Sequence, residues 1–252
     1  MTSNFRKKIL IIGGGAPPGS AIVGHLSGTG SLVAFNGGCQ EQGLELAKAT
    51  GATFIPGDWQ PEDGVDRIVS DAVDALEGLD GLVWAGNSTH AARISETTDS
   101  AWDAVIEHNL VAPFRFAKAA MPLLSIGGGI VFVASGAAAR TEMELGACSV
   151  AGRALLWLSN MLAVEGGPRG IAANAICVGE IDADARPFID EPQLRDLGPA
   201  FVPPAGRLAS PEDVARAVEF FLLRNNGTCT GTSLTVDGGL RSALRANKVH
   251  GA

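Results

Sequence analysis

Residues 147–179 read ACSVAGRALLWLSNMLAVEGGPRGIAANAICVG, a long helical pattern that passes through glycines into the apolar strand IAANAICVG. A strand that is apolar at nearly every position, rather than every second one, is buried on both faces. The same helix-and-strand unit recurs in both directions. Upstream, KILII (8–12) leads through glycines to SAIVGHLSGTG (20–30), SLVAF (31–35) to EQGLELAKATG (41–51), and ATFIPGD (52–58) to DGVDRIVSDAVDALEG (63–78). GLVWAG (81–86) precedes one long helix, SAWDAVIEHNLVAPFRFAKAAMPLL (100–124), and GGIVFVAS (128–135) precedes the opening stretch. Downstream, SPEDVARAVEFFLLR (210–224) begins with a Ser-Pro start and an acidic first turn, and GTSLTVDGG (231–239) closes the series. Such βα alternation predicts an α/β fold, a Rossmann-like doubly wound parallel sheet of about seven strands with helices on both faces. No linker or repeat divides the chain, so residues 1–252 are expected to form a single domain.

Composition narrows the function classes. Net charge is −8 and the Lys and Arg residues are scattered, which argues against nucleic acid or an anionic membrane surface as partner. No apolar run reaches the roughly 20 residues of a membrane span, and MTSNFRKKILIIGGG does not read as a signal peptide. Cys39, Cys148, Cys177 and Cys229 show no metal or redox spacing, so no metal site is expected and the cytoplasm is the expected compartment.

Several segments at ordered spacing carry a further likeness. IGGGAPPG (12–19) is a glycine loop between strand and helix, WDAVIEHNLVAPFRFAKAAMPLL (102–124) bears Asn109, and GGIVFVAS (128–135) ends at Ser135. PPAGRLASPEDVARAVEFFLL (203–223) and TGTSLTVDGG (230–239) make up the C-terminal third. In order and spacing these resemble the short-chain dehydrogenase/reductase family over nearly the whole chain. The resemblance implies hydride-transfer chemistry on Asn, Ser, Tyr and Lys, with NAD or NADP as the cofactor if one is bound. Asn109 and Ser135 stand at the first two positions.

The other two are gone. The family's Tyr follows its Ser by thirteen residues and its Lys comes four later, which puts Cys148 (148 − 135 = 13) and Gly152 in their places. The chain has no Tyr anywhere, so no shifted register supplies the phenol. Arg153 is one residue further, about 100° around a helix, and points elsewhere. The phenol serves as general acid or base on the substrate oxygen, its pKa lowered by the Lys cation. A thiol is much shorter, and Gly152 offers no charge, so Cys148 falls short of the roughly 2.6–3.2 Å that proton transfer needs. Asn109, Ser135, Cys148 and Gly152 are read as vestigial positions, with no catalytic set intact.

The cofactor side is altered too. A dinucleotide loop aims backbone N–H groups and a helix N-terminus at the pyrophosphate. Gly13 and Gly19 match its outer glycines, but Pro17 replaces the middle one and Pro18 follows. Each proline removes an N–H and adds a ring where the phosphates lie. After the second strand, Asn36, Gly37 and Gly38 replace the Asp that would meet a ribose hydroxyl or the Arg that would meet a 2′-phosphate. Trp84 replaces an Asn ahead of the retained Ala85 and Gly86, Val178 and Gly179 stand for the family's Pro-Gly, and Ala183 for its carboxamide-binding Thr. Asp58 stands where the family contacts adenine, or else begins the next helix. The degenerate cofactor set is thus Gly13, Gly19, Asp58, Ala85 and Gly86, and no cofactor is expected on this chain. Trp84, Phe35 and the two prolines are candidates to fill the groove.

A kept fold with several parts of one site altered together predicts a catalytically silent subunit that assembles with and supports an active short-chain dehydrogenase. The expected partner is a paralogue in a heterotetramer, or otherwise a second copy in a homo-oligomer. The resemblance places contact faces on two helices, here at Trp102, Val105 and Phe114, and at Leu155, Leu158 and Leu162, with the tail 236–252 at a subunit interface. One alternative is an NAD(P)-dependent oxidoreductase with an unusual site using Ser135 and Cys148. Another is a non-redox dehydratase, cyclase or epimerase using Cys148, Asn109 and His90, the last just past the fourth strand. Pure ligand binding is a further one. Residues 180–204 contain Pro187, Pro192 and Pro199 and are expected to form an irregular lid.

Overall fold

A computed structural model of the chain describes residues 6–181, 203–205, 207–224 and 227–242. Ala183, most of the expected lid and the tail beyond residue 242 lie outside the described residues. Strands β1 (Lys8–Ile12), β2 (Leu32–Asn36), β3 (Thr53–Phe54), β4 (Leu79–Trp84), β5 (Leu124–Ser135), β6 (Ala172–Val178) and β7 (Ser233–Val236) form one sheet in the order β3-β2-β1-β4-β5-β6-β7. Every pairing is parallel. The chain winds outward from β1 to one edge, returns, and winds from β4 to the other. The crevice outside the carboxyl ends of β1 and β4 is therefore the topological switch point where such sheets take ligands.

The continuous apolar strands divide by parity between two buried layers. Leu10, Ile12, Leu82, Trp84, Ile130 and Phe132 pack against α3 (Gly64–Leu76), α5 (Ala112–Ala120) and α6 (Gly146–Gly166). Ile9, Ile11, Val83, Val131, Val133 and Ile176 pack against α1 (Gly19–Gly28) and the last described α-helix, called here α7 (Pro211–Glu219). Each such aliphatic side chain contributes on the order of 1.5–3 kcal/mol by full burial. The helix starts and stops follow local chemistry. Gly51, at φ +74°, ends α2 (Gln40–Thr50). Ser210 and Asp213 close a capping box on α7, with Pro211 at its first turn.

Two expectations are corrected. The long helix over 100–124 is α4 (Asp99–Ile106), a π-helical turn at Glu107–Val111, and then α5, which ends at Ala120 so that Leu124 already begins β5. Pro113 has no N–H to give the carbonyl of Asn109 four residues back, and the helix widens there. The segment Gly146–Arg169 is long and apolar enough, by length and composition, to cross a membrane, contrary to the reading that no run is. More than half of its most apolar 18-residue window is buried inside the chain, as in the core helix of a folded domain.

Candidate functional site

The loop after β1 is held by backbone packing. Gly13 has φ +83°, and a Cβ there would stand 2.6 Å from the Gly86 nitrogen. A Cβ on Gly19 would collide with the Gly13 carbonyl, and one on Gly15 with the Gly37 carbonyl. These glycines are required for loop, helix and neighbouring turns to meet, whether or not a phosphate follows. The Gly13 and Gly14 N–H groups both donate to the Asn36 carbonyl, at 2.9 Å each. Asn36 itself is buried and its amide donates to the carbonyls of Ile55 and Gly57, at 2.9 and 3.0 Å. It ties β2 to the loop after β3 and is not a ribose ligand.

Beside this loop lies an open cavity of about 440 Å³. It runs from Gly38, Pro17 and Pro18 past Ala85 and Gly86 to Ser135 and Gly179. Trp84 and Phe35 do not fill it: each is buried in the core, in opposite layers. The prolines line it without closing it.

At the far end, Asn109 sits in the π-helical turn, buried, and grips Ser88 twice. Its Oδ1 accepts from the Ser88 N–H at 2.8 Å and its Nδ2 donates to the Ser88 carbonyl at 2.7 Å. The Cys148 thiol donates to that same carbonyl at 3.6 Å. Cys148 is 2% exposed, packed with Val105 and Ala151, and does not line the cavity. Ser135 does line it; its Oγ accepts from the Ala137 N–H at 3.3 Å and so caps the turn Gly136–Ala138. That turn presses on α6. A Cβ at Gly152 would lie 2.6 Å from the Cβ of Ala138 and 3.2 Å from its Cα.

The remaining sequence candidates fall away from the cavity. Asp58 is exposed and its Oδ1 accepts from the Gln60 N–H at 2.9 Å, while α3 is capped at Asp63, so Asp58 makes a turn and does not begin the helix. His90 is exposed and does not line the cavity. Arg153 faces a separate groove with Trp157 and Ser233. The residue that sequence reading missed is His108. Its half-buried ring lines the cavity and stands edge-on to Trp59 and Trp84, with centroids 5.6 and 5.5 Å apart. Burial pushes its pKa below the ordinary histidine value and so favours the neutral ring. Its one sequence signal is adjacency to Asn109.

The family described as enoyl-(acyl carrier protein) reductase matches residues 19–241. An uncharacterized oxidoreductase of Thermotoga maritima is 31% identical over 94% of this chain and 98% of that protein. The acetoacetyl-CoA reductase of Rhizobium meliloti is also 31% identical, over 91% and 96%. Among solved structures, a blue fluorescent protein from a metagenomic library, in complex with NADPH, superposes with a TM-score of 0.85 at 28% identity, covering 94% of this chain and 99% of that one. The chain belongs to the short-chain dehydrogenase/reductase family. Cys148, which the sequence spacing set against the family's Tyr, is a thiol buried against a backbone carbonyl. Beside Gly152 the Gly136–Ala138 turn stands where the first atoms of a side chain would go.

Proposed function

We infer that this chain is a short-chain dehydrogenase/reductase subunit without hydride-transfer activity of its own, which assembles in the cytoplasm with an active paralogue as a heterotetramer and supports its site. The observation that carries the reading is the contact between Gly152 and Ala138, 2.6 Å from any Cβ at the Lys position. A side chain at that position would need room that the neighbouring turn fills here, which supports packing built around a glycine. Assembly is supported by α6. Leu155 and Leu162, expected at a contact face, are buried in the chain's own core, while Val150, Trp157, Met161 and Val164 on the same helix are exposed. Trp157 and Val164 are 69% and 73% exposed, and that spacing puts them with Val150 on one stripe of the helix. Phe114, on α5, is exposed as expected, while Val105 is buried. In kind the arrangement resembles heteromeric 2-(hydroxy(phenyl)methyl)succinyl-CoA dehydrogenases, with one silent subunit.

Purified from its own host, the chain is expected to come with a relative that has both the Tyr and the Lys, and to show no NAD(P)H-dependent turnover when separated from it. A homo-oligomer with no dehydrogenase partner overturns the reading. His108 favours one second reading, a non-redox reaction in the same cavity with the neutral imidazole as base. On that reading His108→Ala abolishes an activity that Cys148→Ser leaves intact.

A further inference from the structure

The cavity's position implies a dinucleotide, and its lining disagrees. Among the described residues that line it, none carries Asp, Glu, Lys or Arg chemistry; the polar side chains are Asn87, His108 and Ser135. A pyrophosphate is held in such folds by loop N–H groups at a helix N-terminus. Here the Gly13 and Gly14 N–H groups end on the Asn36 carbonyl, that of Ser20 ends on the Ala16 carbonyl, and Pro17 and Pro18 have none. Among the described residues lining the cavity no cation makes good the loss, and the whole chain carries a net charge of −8. Phosphate oxygens placed here would be desolvated against proline rings.

The wall of the cavity at Gly86 is furnished differently. The Nε2 of His108 lies 3.1 Å from where a Cβ of Gly86 would stand, so the bare backbone at Gly86 leaves the imidazole edge open to the cavity. The ring offers one donor and one acceptor in its neutral form, and no described residue hydrogen-bonds it. The Nε1 of Trp84, whose Cε2 lies 3.3 Å from that same point, is buried without a partner among the described residues. A neutral imidazole left open in a mostly apolar wall favours a ligand that pairs with it and carries no charge. A cavity of about 440 Å³ suits one the size of a nucleoside.

We propose that this groove binds an uncharged, nucleoside-sized heteroaromatic ligand through His108 and discriminates against its phosphorylated forms. The site is separate from the question of assembly, and it holds whether or not a partner subunit is present.

The test is a calorimetric titration of the full chain with adenosine, AMP and NADH, with tryptophan fluorescence as a second readout because Trp59 and Trp84 both flank His108. Adenosine is expected to bind at least tenfold more tightly than AMP or NADH and to change the tryptophan emission. His108→Phe keeps the stacked ring and removes both nitrogens, and is expected to weaken adenosine at least tenfold. The ratio of adenosine to AMP is read on the unmodified chain, so it decides the matter even if the variant does not fold. No adenosine heat at millimolar concentration, equal or tighter binding of AMP or NADH, or unchanged binding in His108→Phe each overturns the proposal.

Discussion

At Gly152 a single added atom has consequences for both packing and chemistry. Adding one methyl as Gly152→Ala forces either α6 or the Gly136–Ala138 turn to move, because the new Cβ would meet that of Ala138 at 2.6 Å. Overpacking of this kind costs about 1–3 kcal/mol, and urea unfolding should show the midpoint falling by that much. The consequence for chemistry is that Cys148→Tyr with Gly152→Lys is expected to restore no NADPH-dependent turnover, since the Lys stem has no space. Asn109 is the second sensitive position. Asn109→Ala leaves the buried ends of its Ser88 bonds unpaired, at a cost of about 1–3 kcal/mol by the same measurement, with the loop 86–92 losing its anchor. Asn109, Ser135 and Cys148 are legible in the sequence because spacing along a strand and a helix places them. His108 is not, since its value comes from Trp59 and Gly86, distant in the chain.

The last described α-helix, α7, shows how local chemistry and long-range pairing divide the work. Its capping box is readable from Ser210 and Asp213, and Ser210→Ala should cost about 1 kcal/mol in unfolding free energy. Asp213 is held well below the usual carboxylate range, first by its bond from Arg207 and then by the Ser210 N–H. Glu219, at the other end, is also depressed, by His25 of α1 at 2.7 Å and by Arg224. Carboxyls with a lower pKa folded than unfolded take up protons more readily in the unfolded chain, so they stabilise fully above the ordinary carboxylate range and lose that contribution as pH falls through it. Stability is expected to drop on acidification below that range, and Glu219→Gln should flatten the drop in denaturation curves taken from neutral to acid pH. The pairing of His25 with Glu219, 194 residues apart, has no sequence signal, while the π-helical turn at Asn109 has one only in retrospect, in Pro113.

At the scale of the molecule, the exposed stripe on α6 predicts behaviour in solution. Trp157→Glu removes apolar area from a surface that is 69% exposed, so its effect on the fold is expected within about 0.5 kcal/mol. If the proposed assembly with a paralogue forms through this stripe, light scattering should show it lost; an intact assembly would place the interface elsewhere. The doubly wound sheet, its strand and helix order, and the absence of any Tyr follow from the sequence alone. Hydrophobic periodicity and fixed residue spacing are local properties, and a missing phenol needs no coordinates. Tertiary packing decided the rest. It kept the groove open by turning Trp84 and Phe35 into opposite core layers, packed Gly13 and Gly19 against neighbouring backbone, set Ala138 against Gly152, and brought His108 beside Gly86. Each of those outcomes depends on which segments meet across the sheet, and contacts between residues far apart in the chain leave no periodic trace in it.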